Sequence, residues 1–180
     1  MSKPHFDLAP LPGYPEPYGT LLATLQDGSR EWRDELGEPG PELIAWQPYP
    51  KSHSIGGVLL HIADVEVYWI EQFCLGRPAD PEEAKLFMSA EIDQYGGSWP
   101  TPPAEPIGYY FDMLDKVRAR TLESVKSFGP GDTVKEREWE TSTLRWVLAH
   151  VVEHDSYHGG QAVLLHEMGK RMSPPPHFGS

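Results

Sequence analysis

The sequence predicts an all-α protein, a four-helix bundle whose crossover contains one short additional helix. The first observation is that the prolines cluster, at 4–17, 39–50, 78–81, 100–106 and 174–176. Because proline breaks helix interiors, these clusters bound the windows in which long helices can form. The second observation is that apolar residues in each window recur at helical spacing, and no segment alternates as a half-buried strand would.

The windows predict helices at 18–36, 55–75, 82–95, 106–128 and 143–168. The third helix has an N-terminal signal, since Asp80 precedes Pro81 and the acidic Glu83 stands three positions after the cap. Three glycines follow periodic segments as C-terminal capping glycines do, namely Gly76, Gly129 and Gly169. The crossover then runs through 76–105.

The length of the chain indicates one domain, because 180 residues lie within the usual size of a single folding unit. We place this domain at 18–170. Pro-rich stretches flank it, an N-terminal extension at 1–17 and a C-terminal tail at 171–180. The three successive prolines in the tail favour an extended backbone.

Composition excludes several classes of protein. The chain has 15 Lys and Arg against 27 Asp and Glu, a net charge of −12, which is the wrong sign for binding nucleic acid or an anionic membrane. No apolar run exceeds four residues, whereas a membrane span needs about 20. The first twenty residues lack the apolar core of a secretory signal, and Cys74 is the sole cysteine. These features predict a cytoplasmic protein.

Histidines on apolar helix faces are the main functional signal. In the helix at 143–168 the apolar stripe consists of Leu144, Val147, Leu148, Val151, Ala162 and Leu165. His158 falls near the centre of this stripe, His154 lies to one side, and His150 is about a quarter-turn away. Side chains four residues apart can meet a common ion, so His154 and His158 are candidate metal ligands.

A third histidine lies on another helix. His61 sits at the edge of the stripe of the helix at 55–75 and could face the other pair if the two helices are neighbours. A buried imidazole pair is costly unless something satisfies it, and a divalent ion would do so. The alternative is that each histidine is a hydrogen-bonded structural residue.

Other residues near these stripes have less specific patterns. Glu66 and Asp155 could accept hydrogen bonds from the distal nitrogens of ligand histidines, or could instead pair with an arginine or lie at the bundle ends. Gln161 could contact a ligand or a substrate. The adjacent Gly159 and Gly160 indicate close approach of a neighbouring helix or a ligand.

Two segments resemble the DinB/YfiT-like family. These segments are residues 54–66, SIGGVLLHIADVE, and residues 143–161, TLRWVLAHVVEHDSYHGGQ. The resemblance covers about 18–170 and implies a four-helix bundle, often a homodimer, that holds one divalent ion per chain through His61, His154 and His158. It also implies S-transfer or isomerisation with a low-molecular-weight thiol such as bacillithiol, mycothiol or glutathione. One departure is Gly159, where family members commonly carry a basic residue.

Three neutral imidazoles would leave a coordination position open, which is the catalytic pattern. An ion held in this way lowers the pKa of a bound thiol or water. The leading hypothesis is therefore thiol S-transfer to a small electrophilic substrate. The alternatives are metal-dependent hydrolysis, with Glu66, Asp155 or Glu153 as base, and a non-catalytic metal-binding stress protein. The donor set suits zinc, nickel, iron or manganese.

Overall fold

The protein is mostly helical, as predicted. The computed structural model describes residues 7–93, 95–128, 134–136 and 141–172. The elements in chain order are α1 (Tyr18–Leu36), α2 (Pro41–Ala45), α3 (Ile55–Val67), α4 (Pro81–Leu86), α5 (Ile107–Lys126), β1 (Val134–Glu136), β2 (Thr141–Thr143) and α6 (Leu144–Arg171). A π-helical turn, Tyr68–Cys74, continues α3.

Four long helices form the predicted bundle. Helix α6 packs against α1 and α3, and α3 packs against α5. The ring of Trp32 on α1 meets that of Phe111 on α5, with their centroids 6.2 Å apart. The core between these helices contains fully buried aliphatic residues such as Leu36, Val58, Leu59 and Val147. The all-α fold class is therefore confirmed, and no helix in the described part of the chain is long and apolar enough to cross a membrane.

The crossover differs most from the prediction. Helix α4 starts at the expected cap, where Asp80 accepts hydrogen bonds from the backbone of Glu82 and Glu83, but it ends at Leu86. Met88 has a φ of 57°, a left-handed conformation that a continuing helix does not allow. Farther on, Asp93 and Ser98 exchange two backbone hydrogen bonds of 2.9 Å. The helix predicted at 82–95 is therefore wrong beyond Leu86.

Two short elements were not expected. Helix α2 begins at Pro41, inside a proline cluster, because proline is tolerated in the first turn of a helix. Strands β1 and β2 form an antiparallel hairpin in which Val134 lies opposite Thr143. The prediction of no strand is wrong here, since three residues are too few to show a clear alternation.

The three glycines that were predicted to cap helices differ from one another in the structure. Gly76 has a φ of 68°, which confirms its place after a helix. Gly169 lies inside α6, so its prediction as a cap is wrong. A Cβ atom there would stand 2.1 Å from Leu43 Cδ1, so this glycine admits α2 against α6. Gly129 lies outside the described residues.

The Pro-rich extensions are described only in part, since 1–6 and 173–180 lie outside the described residues. In the N-terminal extension the hydroxyl of Tyr14 donates a 3.1 Å hydrogen bond to the carbonyl of Leu122 on α5. This part of the extension therefore contacts the bundle. The domain boundaries remain a prediction.

The glycine pair on α6 marks the close approach of a neighbouring helix, which is one of the two explanations that the sequence offered. A Cβ atom on Gly159 would lie 2.4 Å from Cγ and Cδ1 of Trp32, whereas nothing lies within 4 Å of one on Gly160. The indole of Trp32 thus occupies the space beside Gly159. Helices α1 and α6 can approach closely because Gly159 has no side chain.

We expect Gly159→Ala to destabilise the protein by about 2–3 kcal/mol, because the rigid indole of Trp32 must move to admit the methyl group. The matched control is Gly160→Ala, which should leave the free energy of unfolding unchanged or raise it by up to about 1 kcal/mol, since alanine favours a helix. Urea denaturation of both variants measures the difference. Equal stability of the two variants would contradict this account of Gly159.

Candidate metal centre

Helices α3 and α6 bring three histidines together. His61 on α3 and His158 on α6 are buried, and His154 is half-buried. Nε2 of His61 lies 3.1 Å from Nε2 of His154, and one nitrogen from each of the three rings falls within 4.8 Å of the others. Two nitrogens on one tetrahedral zinc ion at about 2.0–2.1 Å are about 3.3 Å apart, so the distance between His61 and His154 fits a shared ion, and the ring of His158 would move closer to join it.

The electrostatic environment keeps two of these imidazoles uncharged. Burial, together with the neighbouring His158, His61 and His150, lowers the pKa of His154 to about 2. Burial also lowers the pKa of His158. A metal ligand must be the neutral imidazole, and at neutral pH both rings are in that state.

Gln161 orients one of the rings. Nδ1 of His158 donates a hydrogen bond of 2.7 Å to Oε1 of Gln161, one turn further along α6. The proton on Nδ1 leaves the lone pair on Nε2 free for an ion. The structure thus places Gln161 against a candidate ligand, one of the two roles that the sequence allowed it.

Glu66 and Asp155 follow the alternative that pairs them with an arginine. Arg118 on α5 donates from Nε and Nη2 to the two oxygens of Glu66, at 2.9 and 3.0 Å, and from Nη2 to Asp155 Oδ1 at 3.0 Å. The second oxygen of Asp155 accepts hydrogen bonds of 2.9 Å from Ser29 and from the indole of Trp32. We call these five residues the Arg118 network. It joins α1, α3, α5 and α6.

The network is buried and its charges depend on one another. Burial alone would lower the pKa of Arg118, but Glu66 and Asp155 raise it above its ordinary value. Burial raises the pKa of Asp155, against the opposing effects of Arg118, Trp32 and Ser29. Sequence reasoning missed Arg118, although the signal was present: it lies four residues after the buried Leu114, on the apolar side of its helix.

The remaining histidines near the site do not join the cluster. The ring of His150 stacks on that of Trp146, with centroids 5.1 Å apart and planes within 4°, and also meets Trp69. His53 packs on Trp99, with centroids 4.2 Å apart, and burial lowers its pKa. Glu153, one of the candidate bases, is exposed on α6.

A cavity of about 360 Å³ adjoins the cluster, and His61 forms part of its wall. Much of the remaining wall consists of polar side chains from α3, the π-helical turn and the crossover. These are Asp64, Tyr68, Gln72, Ser89, Asp93 and Tyr95. No lysine or arginine is among the lining residues that the structure describes. The cluster therefore has room beside it for a small molecule.

Comparison with known proteins identifies one family. The family described as Mycothiol-S-transferase matches residues 20–169, which contain the three histidines and the Arg118 network. This is a DinB-like family, so the resemblance found in the sequence is confirmed. No curated protein matches the chain.

Proposed function

The chain belongs to the mycothiol-S-transferase family, and on that basis we propose that it is a metal-dependent thiol S-transferase. The observation that carries the proposal is the convergence of three histidine nitrogens within 4.8 Å beside a cavity that admits a small molecule. His61, His154 and His158 would hold one divalent ion per chain, with zinc, nickel, iron or manganese as candidates. When bound, such an ion lowers the pKa of a thiol that coordinates it.

The chain's own residues would prepare this site. Gln161 holds the proton on Nδ1 of His158, which leaves the lone pair of Nε2 free to be donated to an ion. The Arg118 network holds α3 against α6 through Glu66 and Asp155, which supports the alignment of the histidines on those two helices. The cavity beside His61 would bind the thiol and the electrophile side by side.

The overall reaction is the transfer of a thiol sulfur to an electrophilic carbon. The S–H bond of the thiol breaks, a new S–C bond forms, and the leaving group of the electrophile departs with the electron pair and then takes the proton. Mycothiol, bacillithiol and glutathione are the candidate co-substrates. The family's description supports mycothiol among them.

Two features of the protein's organisation are also proposed. An exposed apolar row along α6, formed by Trp146, Tyr157, Leu164 and Met168, supports the homodimer that the resemblance implies. The mass in solution, measured by sedimentation, tests it. A cytoplasmic location fits the sole cysteine, and fractionation of cells tests that proposal.

The test supplies each of the three thiols with a chromogenic haloaromatic electrophile and metal-loaded protein. We expect at least one thiol to be conjugated faster by the wild type and by His150→Ala than by His158→Ala, since His150 lies outside the cluster. Equal rates for the wild type and His158→Ala would contradict the proposal. Consumption of an ester or amide without thiol would favour the hydrolase, and no turnover with loss of stability on chelation would favour the non-catalytic protein.

A further inference from the structure

The cavity beside the histidines has an acidic wall. Asp64 follows His61 by three residues on α3, so both side chains lie on one side of that helix, and both line the cavity. Asp93 of the crossover contributes a second carboxylate to the same wall. A ligand in this cavity therefore meets two carboxylates and, among the described lining residues, no lysine or arginine, while the positive charge of the proposed ion would lie at the histidines.

Asp64 is held in place by a hydrogen bond, and no lysine or arginine among the described residues is paired with it. It is half-buried, and burial raises the pKa of its carboxyl, whereas the 2.8 Å hydrogen bond that Ser89 Oγ donates to its Oδ1 opposes this rise. Repulsion by the charge of Glu83 raises the pKa of Asp64 as well. Glu83 forms an ion pair of 2.8 Å with Arg120, so that cation is already engaged.

We propose that Asp64 is a specificity-determining residue, whose carboxylate makes the cavity select uncharged polar co-substrates over matched ones that carry a carboxylate. The proposal rests on the proposed function of the same site and adds the residue that sets its charge preference. The physical reason is like-charge repulsion in a partly desolvated cavity. The repulsion between two unit charges several ångströms apart changes a binding constant by about tenfold when the effective dielectric constant lies between those of protein and water.

The rest of the wall suits a neutral polar ligand. Gln72 offers an amide, and Tyr68 and Tyr95 offer phenol rings beside it. Amides and phenols form hydrogen bonds with hydroxyl and amide groups, and aromatic rings pack on their apolar faces. Such a wall recognises a ligand without requiring a charge on it.

The test uses N-acetylcysteine and N-acetylcysteinamide, which differ only in the carboxylate. Binding of each thiol to cobalt(II)-loaded protein is measured by sulfur-to-cobalt absorption, and transfer to the haloaromatic electrophile is measured separately. We expect the wild type to prefer the amide, and Asp64→Asn to reduce that preference about tenfold. Because both proteins meet the same two thiols, the intrinsic difference between the thiols cancels.

Two controls separate charge at the cavity from other effects. Glu31→Gln removes one charge from the exposed surface of α1, away from the cavity, and should leave the preference unchanged. Raising the salt concentration should weaken the preference in the wild type more than in Asp64→Asn.

The outcomes distinguish this inference from the proposed function. If the wild type binds and transfers both thiols without a preference, or if Asp64→Asn keeps the full preference, the inference fails while the transferase proposal stands. If neither thiol binds or reacts, both fail together. Should Asp64→Asn not fold, Asp93→Asn replaces it: a smaller reduction of the preference supports the acidic wall, and an unchanged preference overturns it.

Discussion

Replacing His154 or His158 by alanine should remove the divalent ion from the purified protein, reducing it from about one per chain to background. Each ring supplies one of the three clustered nitrogens, and two remaining imidazoles hold an ion much more weakly than three. Elemental analysis after dialysis measures the loss. His61→Ala should behave in the same way, although its ligand atom comes from another helix.

His150→Ala is the matched control for these variants. It removes a histidine from the same helix, but its ring stacks on Trp146 and lies outside the cluster. We expect it to retain the ion at wild-type stoichiometry. Gln161→Ala should keep the ion but bind it about 10–100-fold less tightly, because Gln161 orients His158 without touching the ion. Equal metal loss in His150→Ala and His154→Ala would show that His154 and His158 are the wrong pair of ligands on α6.

Arg118→Met should destabilise the protein by about 3–5 kcal/mol. The guanidinium is the partner of two buried carboxylates, and removing it leaves Glu66 and Asp155 in the core without a cation. Denaturation by urea at neutral pH measures this loss. The destabilisation should shrink as the pH falls, because burial raises the pKa of Asp155 and its protonation then removes an unpaired charge.

Arg120→Met provides the comparison on the same helix. Arg120 also pairs with two carboxylates, Glu71 and Glu83, but its side chain is 39% exposed against 12% for Arg118. Exposed ion pairs contribute at most about 1 kcal/mol, so we expect little change in the free energy of unfolding. If Arg118→Met lowers the free energy of unfolding no more than Arg120→Met does, the structural role of the Arg118 network is contradicted.

Much of the helical framework could be predicted from local order along the chain. Helix α1 runs from Tyr18 to Leu36, as the window between proline clusters predicted. The shared side of His154 and His158 on α6 follows from their spacing of four residues. A packing role for Gly159 could also be predicted, since a glycine inside a helix lowers stability unless close packing requires it.

The short elements could not be predicted in the same way. Helix α2 has five residues, and the strands have three each, so none contains enough positions for a periodic pattern. The end of α4 depends on the left-handed backbone at Met88, a residue type that does not indicate this conformation. That end matters for function, because the turns that follow supply Ser89 and Asp93 to the cavity wall.

Which side chains share a helix face could be read from their spacing, whereas the partner that each face meets depends on how the helices pack. Spacing along a helix sets the direction of a side chain around that helix's own axis. It does not set how two helices cross, so the 3.1 Å approach of His61 to His154 and the pairing of Arg118 with Glu66 and Asp155 had to come from the packed bundle. These contacts join residues far apart in the chain, and burial of the whole core, rather than any local pattern, holds them together.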